Sequence, residues 1–145
     1  MTNADDPYQP GFELDRRFLV LDEEIADRYL ETTGAPRRGH GTTSAPRVVP
    51  AVALAPQLFA LGERSVPPLW GTTVLTASMS WQHHAPMHVG EEVTMVICVV
   101  DRYIRNGRDH LCTEMTVQTA DGTLACVGTV TVMTPVPTPS PEPVQ

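Results

Sequence analysis

Residues Thr33–Gly62 read TGAPRRGHGTTSAPRVVPAVALAPQLFALG, and the rest of the predicted fold is arranged around them. The first half of this stretch is a loop rich in proline, glycine and arginine, and its second half, from Pro50 onward, is an apolar segment with helical spacing. Because that segment is apolar nearly all round, we expect a buried helix. A single buried helix among strands packs against one face of a sheet. The loop that leads into it is therefore expected to border the main cleft, beside the positive end of the helix.

Two prolines bear on how this helix begins. Pro50 suits the first turn, where its missing N–H group would have no partner in any case. Pro56 lies further inside, where a proline costs about 3 kcal/mol and bends a helix. Either the helix bends at Pro56 or a first turn ends there.

The residues before this stretch predict an extended segment over residues 12–21, with a short strand at Phe18–Leu21, followed by a short amphipathic helix. Asp22 is the expected N-cap of that helix, because its carboxylate can accept from a backbone N–H of the first turn. Gly34 is the expected C-cap, because glycine adopts the left-handed conformation that ends many helices.

The residues after position 72 alternate between apolar and polar side chains, which predicts antiparallel strands. In the first strand, the phase that runs from Leu75 to Trp81 is expected to face the core. Asn106-Gly107 and Asp121-Gly122 are typical of hairpin turns. The predicted strands are residues 73–82, 92–104, 109–119 and 123–133.

These elements predict one α+β domain over residues 12–134, in which an antiparallel sheet of about five strands wraps around one central helix. A chain of this length can bury a substantial core. Residues 1–11 are expected to form a flexible arm. The proline-rich residues 135–145 are expected to form a disordered or polyproline II tail.

Composition argues against several classes of protein. The chain has 145 residues and a net charge of −7, whereas a nucleic-acid-binding protein carries a basic face. It has no apolar run long enough for a membrane span and no signal peptide, so we expect a cytoplasmic protein without membrane contact. Cys98, Cys112 and Cys126 lack C-x-x-C spacing, which indicates free thiols in strands rather than disulfides or a zinc site.

Four segments, in this order, resemble the MaoC-like dehydratase and (R)-specific enoyl hydratase family, whose members have a hotdog domain. They are FLVLDEEIADRYLETTG (18–34), APRVVPAVALAPQLFALG (45–62), WQHHAPMHVGEEVTM (81–95) and VVDRYIRNGRDHLCTEMTVQTADGTLACVGTVTV (99–132). The resemblance implies a hotdog fold and an acyl-thioester substrate carried by coenzyme A or a carrier protein. It also implies a dimer in which the two sheets continue into one another.

The catalytic signature of that family is only partly present. In the family an Asp follows Thr-Gly and a His follows five residues later. Here Ala35 takes the place of the Asp, and His40 keeps the position of the His. The resemblance implies that His40 is the catalytic base and that the N-terminus of the central helix donates to the thioester carbonyl. The missing acid would need a replacement from the partner subunit or from an acidic residue of the first helix: Glu23, Glu24 or Glu31.

Six further residues are predicted to bind substrate: Arg37, Arg38, Arg47, Val49, Trp81 and His84. The arginines suit a phosphate or a carboxylate, or else belong to a solvated loop. His84 contacts substrate or hydrogen-bonds the turn that follows it. Trp81 lines an acyl tunnel or packs in the core. No metal and no cofactor are expected.

The sequence leaves two main hypotheses for function. The first is an enzyme of an acyl-thioester or polyketide-type substrate, with hydro-lyase chemistry or with diverged proton-transfer or cyclisation chemistry, assembled as a homodimer. The second is a non-catalytic hotdog subunit that binds the acyl chain and pairs, as a heterodimer, with a partner that carries the Asp–His pair. A binding scaffold that acts by shape alone is a third, weaker hypothesis.

Overall fold

The computed structural model describes residues 8–34, 47–65 and 74–135. The predicted arm and tail therefore lie largely outside the described residues. The elements in chain order are β1 (Glu13–Val20), α1 (Glu23–Thr33), β2 (Val48–Val49), a 3-10 turn (Ala51–Leu54), α2 (Ala55–Ser65), β3 (Leu75–His83), β4 (Met87–His88), β5 (Glu92–Arg105), β6 (Arg108–Thr119) and β7 (Leu124–Met133).

Within the described residues, five strands form one antiparallel sheet in the order β1-β5-β6-β7-β3. The prediction of an antiparallel sheet of about five strands is confirmed. The β5–β6 turn has Asn106 at φ 52° and Gly107 at φ 71°, the left-handed pair that a two-residue hairpin requires. A second, two-residue ladder joins β2 to β4 and was not predicted, because two residues are too few to show a period.

The first strand is longer than the sequence predicts. It begins at Glu13 rather than at Phe18. The sequence did not predict this extension because the added residues are largely charged. In the structure, Arg16 and Glu13 form an exposed ion pair in which Nη2 and Oε2 lie 2.7 Å apart. An edge strand tolerates such residues on the face that meets water.

Helix α1 has the ends that the sequence predicts. The Oδ1 atom of Asp22 accepts a hydrogen bond from the backbone N–H of Ile25 at 3.0 Å. At the other end, Gly34 has φ 67°, and its N–H donates to the carbonyl of Glu31. Both caps are confirmed.

The central helix begins differently from a continuous α-helix. The 3-10 turn ends at Leu54 and α2 starts at Ala55, so Pro56 lies in the first turn of α2, where its missing N–H is tolerated. Of the two alternatives, the one in which a first turn ends there is correct. The expectation that the helix is buried all round is wrong, because Val52, Pro56 and Ala60 are exposed.

The core lies between this helical segment and one face of the sheet. It is formed by Leu54, Leu58 and Leu61 of the helical segment together with Val93, Met95, Ile97, Met115, Val117, Ala125, Cys126 and Val130 of the sheet. At Gly62 a Cβ atom would lie 3.1 Å from Cε of Met115, so the absence of a side chain permits this close packing.

Among the elements that the structure describes, none covers the edge strand β3. Among its nine described residues Trp81 is half-buried and the other eight are exposed. The register on β7 shifts between Thr76 and Ser78, so Leu75 is out of phase with Trp81. The prediction that one unbroken phase from Leu75 to Trp81 faces the core is therefore wrong for Leu75 and holds for Trp81.

Candidate active site

Most of the predicted loop over residues 35–49 lies outside the described residues, which resume at Arg47, and its last two residues, Val48 and Val49, form β2 instead. His40, Arg37 and Arg38 belong to the part that lies outside, so their roles stay predictions. The structure gives the residues on either side of that part, Gly34 at the end of α1 and Arg47 before β2.

Arg47 is engaged by a carboxylate of its own chain. Its Nη2 atom lies 2.9 Å from Oδ1 of Asp27 on α1, and both side chains are about one-third exposed or less. Its backbone carbonyl accepts from the N–H of Val89 at 2.8 Å. The predicted substrate-binding arginine thus links α1 to the chain that leads into the central helix.

The turn after β4 joins three parts of the chain. The carboxylate of Glu91 lies 3.1 Å from Nδ1 of His88 and accepts from the His88 backbone N–H at 3.3 Å. The N–H of Gly90 donates to the carbonyl of Leu21 at 2.6 Å, and the N–H of Leu21 donates to the carbonyl of Glu91 at 2.8 Å. This turn therefore fixes the end of β1 next to the chain that contains Arg47.

The histidine whose ring bonds this turn is His88, which sequence reasoning did not select. His84, the residue predicted at this place, is exposed and follows the end of β3. Its backbone N–H donates to the carbonyl of Ala125 at 2.9 Å. His84 therefore holds β3 to β7 through its backbone, and its predicted contact with substrate stays a prediction.

The start of the helical segment is held by β2. Val49 pairs with Met87 of β4 and is 2% exposed, so this predicted substrate-binding residue belongs to the core. The 3-10 turn follows directly after Pro50, and no side chain of the described residues caps it. The first N–H groups of a helix have no partner within it, which leaves donors at this end for another acceptor.

An apolar pocket lies beside these first turns. It contains about 210 Å³ of space, part of which is open solvent, and is lined by Val52, Ala55, Leu58, Trp81 and Cys126. Burial raises the pKa of the Cys126 thiol, so this thiol stays protonated and serves as an apolar wall. The lining suits the hydrocarbon part of a ligand.

Gly128 is a second residue that sequence reasoning missed. It pairs directly with Trp81 across β3 and β7, and a Cβ atom built on it would lie 2.1 Å from Cζ3 of the indole. The indole therefore occupies the space that a side chain at Gly128 would need. A glycine inside a strand is the signal that could have indicated this close approach.

Two further properties concern the described residues. No three histidine, cysteine, aspartate or glutamate side chains among them come together as metal ligands would. None of the helices they form is long and apolar enough to cross a membrane.

Comparison with known proteins identifies a related family. The family model described as "FAS1-like, dehydratase domain region" matches residues 16–127. No curated protein matches the chain.

Solved structures of similar fold include three hydratases or dehydratases. The (R)-hydratase from A. caviae involved in PHA biosynthesis is 21% identical, with a TM-score of 0.68 over 86% of this chain and 95% of that one. The R-hydratase PhaJ1 from Pseudomonas aeruginosa is 15% identical, with a TM-score of 0.63 over 96% and 95%. The HadBC (3R-hydroxyacyl-ACP dehydratase) complex from Mycobacterium tuberculosis is 12% identical, with a TM-score of 0.66 over 81% and 90%. These likenesses confirm the predicted hotdog fold.

Proposed function

Because the chain belongs to the family of FAS1-like dehydratase domain regions, we propose that it is an enzyme with hydratase or dehydratase chemistry on an acyl thioester. The family match over residues 16–127 carries the proposal. The apolar pocket beside the first turns of the helical segment supports it, because such a pocket suits an acyl group. The substrate is carried by coenzyme A or a carrier protein, and Arg37 and Arg38 contact its phosphates.

In the dehydration direction, a base removes the α-proton of a 3-hydroxyacyl thioester, and the hydroxyl on the β-carbon leaves with a proton as water. His40 is the proposed base, since an imidazole exchanges protons near neutral pH. Backbone N–H groups at the start of the 3-10 turn stabilise the negative charge on the thioester oxygen. Ala35 supplies no acid, so the leaving hydroxyl takes its proton from another group. The same arrangement suits proton transfer or cyclisation of a polyketide-type substrate.

The test is the hydration of crotonyl-CoA, the reverse reaction, by the purified chain of 145 residues. We expect His40→Asn to lower kcat by about 10²–10⁴-fold, the usual contribution of one general acid or base. His83→Asn is the matched control, because His83 is exposed at the end of β3 and has no proposed role. Full turnover by the His40 variant would show that His40 is not the base.

Ala35→Asp gives the complementary test. If the pocket is an acyl-thioester pocket, restoring the carboxylate is expected to raise crotonyl-CoA hydration, while His40→Asn in the same chain removes the gain. Absence of both binding and turnover in the wild type and in this variant would contradict the proposal.

A non-catalytic subunit is the second candidate, and Ala35 is the observation that favours it. Such a subunit binds crotonyl-CoA without turnover and gains activity only when mixed with a hotdog partner that carries an Asp–His pair. Turnover by the isolated chain, abolished by His40→Asn, would exclude it.

The proposed assembly is a dimer across β3. The exposure of this edge strand supports the proposal, because an edge strand offers unpaired backbone groups to a second strand. The pocket also borders β3 through Trp81, so a second subunit would complete its open side. The partner is a second copy of this chain in the enzyme hypothesis and a different hotdog subunit in the alternative.

A further inference from the structure

The residue opposite Trp81, Gly128, leaves the room that its indole occupies. Built on Gly128, a Cβ atom would lie 2.1 Å from Cζ3, 2.4 Å from Cε3 and 2.7 Å from Cη2 of the indole. These are three atoms of the six-membered ring, so that ring covers the Cα of Gly128. No side chain other than hydrogen fits beneath it.

In this position the indole is one wall of the pocket. The rest of the lining consists of Val52, Ala55 and Leu58 on the helical segment and Cys126 on β7. Cys126 and Gly128 lie two residues apart on the same strand, so their side-chain positions share one face of the sheet. The ring over Gly128 therefore lies on the same face of the sheet as the Cys126 side chain, and both line the pocket.

The pocket that remains is small. Even with the open solvent at its mouth included, its space is about 210 Å³. The residue that most limits it is the largest one in its lining, Trp81.

We infer that Trp81, seated on Gly128, is a specificity-determining residue that restricts the pocket to short acyl groups. This inference rests on the proposed function and names its substrate class: thioesters of short, apolar acyl chains. A longer chain meets the indole face, whereas a short one ends before it.

The first test compares crotonyl-CoA with trans-2-octenoyl-CoA. Trp81→Ala is expected to raise the ratio of kcat/KM for the longer substrate to that for the shorter one by about 10-fold or more, since one methylene that fits or fails to fit changes kcat/KM by about 10–200-fold. Ile104→Ala is the matched control, because Ile104 is a large exposed side chain on β5, which does not pair with β3, and it does not line the pocket. This control is expected to leave the ratio unchanged.

Gly128→Ala tests whether the missing side chain at Gly128 sets the position of the Trp81 indole. The new Cβ displaces the indole toward the helical segment, so turnover of crotonyl-CoA is expected to fall by about 10-fold or more. In the Trp81→Ala background the same change has no ring to displace and is expected to have little effect. Additive effects in this double-mutant cycle would contradict the coupling.

A readout independent of catalysis uses Cys126. This thiol is 3% exposed and lines the pocket together with the indole, whereas Cys98 and Cys112 are half-buried elsewhere in the sheet. Peptide mass spectrometry after exposure to N-ethylmaleimide measures each thiol separately. Trp81→Ala is expected to raise the Cys126 rate about 10-fold or more, with Cys98 and Cys112 unchanged as internal controls, because removal of the ring opens access and lowers the raised pKa.

The outcomes separate the inference from the proposed function. An active Trp81→Ala enzyme with an unchanged chain-length ratio overturns the inference and leaves the proposed function standing. A wild type that neither binds nor converts either thioester contradicts the proposed function, and with it the assignment of short acyl groups. An unchanged Cys126 rate in Trp81→Ala overturns the assignment of Trp81 as the pocket wall, whatever the activity.

Discussion

At the scale of single residues, Asp121 shows how one carboxylate organises a hairpin turn. Its Oδ1 atom accepts from the hydroxyl of Thr119 and from the backbone N–H of Thr123 at 3.0 Å. These hydrogen bonds, the one from Thr119 first, lower the pKa of Asp121 to about 2. Gly122 follows with φ 85°, a conformation that suits glycine. The carboxylate therefore stabilises the turn more when it is charged than when it is protonated.

This lowered pKa predicts an acid-sensitive contribution to stability. The folded pKa is about 2 and the usual value is 3.8, so the unfolded chain binds more protons between these values. The contribution is complete above about pH 4 and is lost as the pH falls toward 2. We expect the difference in unfolding free energy between wild type and Asp121→Asn to shrink over this range, as measured by urea unfolding at a series of pH values.

Asp121→Asn is itself the matched variant, because its amide oxygen still accepts from Thr123 and cannot be charged. Other carboxylates affect both proteins equally and cancel in the difference. A difference between the two proteins that stays constant from pH 5 to pH 2 would contradict the assigned pKa.

Residues with local partners were predictable from the sequence. Asp22 and Gly34 cap α1 as expected, because a cap depends on residues three or four positions away. The sequence did not predict that the ring of His88, rather than that of His84, bonds the turn. His88 is placed there because it pairs with Val48 in the ladder between β2 and β4, and its ring then lies 3.1 Å from the Glu91 carboxylate.

At the scale of elements, the ion pair between Asp27 and Arg47 joins α1 to β2. The same stretch of chain is held from the other side by the turn after β4, through the bond from Val89 to the Arg47 carbonyl. Two independent contacts thus fix the point from which the central helix starts. Arg47 was predicted to bind substrate, and its ion pair with Asp27 gives it a structural role as well. Experiment can separate these two roles.

A double-mutant cycle of Asp27→Asn and Arg47→Met makes that separation. Because both side chains are partly exposed, we expect a coupling energy of about 0.5–1 kcal/mol in urea unfolding. If the ion pair is the whole role of Arg47, both single variants change the KM for crotonyl-CoA alike. A rise in KM confined to Arg47→Met would instead support the predicted contact with substrate.

The exposed ion pair between Arg28 and Glu24 on α1 serves as the control for this cycle. It is more exposed than the first pair, so its coupling energy is expected to be smaller. Equal coupling in the two cycles would show that the lower exposure of the Asp27–Arg47 pair adds nothing to its strength.

The long strands could be predicted from the alternation of apolar and polar residues, and the two-residue strands could not. Strands β5, β6 and β7 carry enough alternation and clear turn residues to be located within one or two positions. Strands β2 and β4 have two residues each and no period to detect. The start of α2 was left open by Pro56, because a proline fits both a bent helix and the first turn of a new one.

At the scale of the whole molecule, the helical segment covers one part of the sheet and leaves the β3 edge open. The sequence predicted a sheet on a helix, since a buried helix and alternating strands have few other ways to pack. It did not predict that β3 would be exposed along its length, because its alternation is the same whether this chain or another covers it. Trp81 marks the boundary, half-buried at the edge of the pocket.

The uncovered edge predicts a dimer in solution that depends on β3. Met79 shares the sheet face of Trp81, two positions away on the strand, and is 43% exposed. A charge there would have to be buried on assembly, so Met79→Glu is expected to shift the chain from dimer toward monomer by at least about 10-fold in Kd. Ile104→Glu is the matched control, since Ile104 is 70% exposed on β5 near the hairpin turn. Light scattering across a dilution series measures both. A monomeric wild type, or equal weakening by the two variants, would place the interface away from β3.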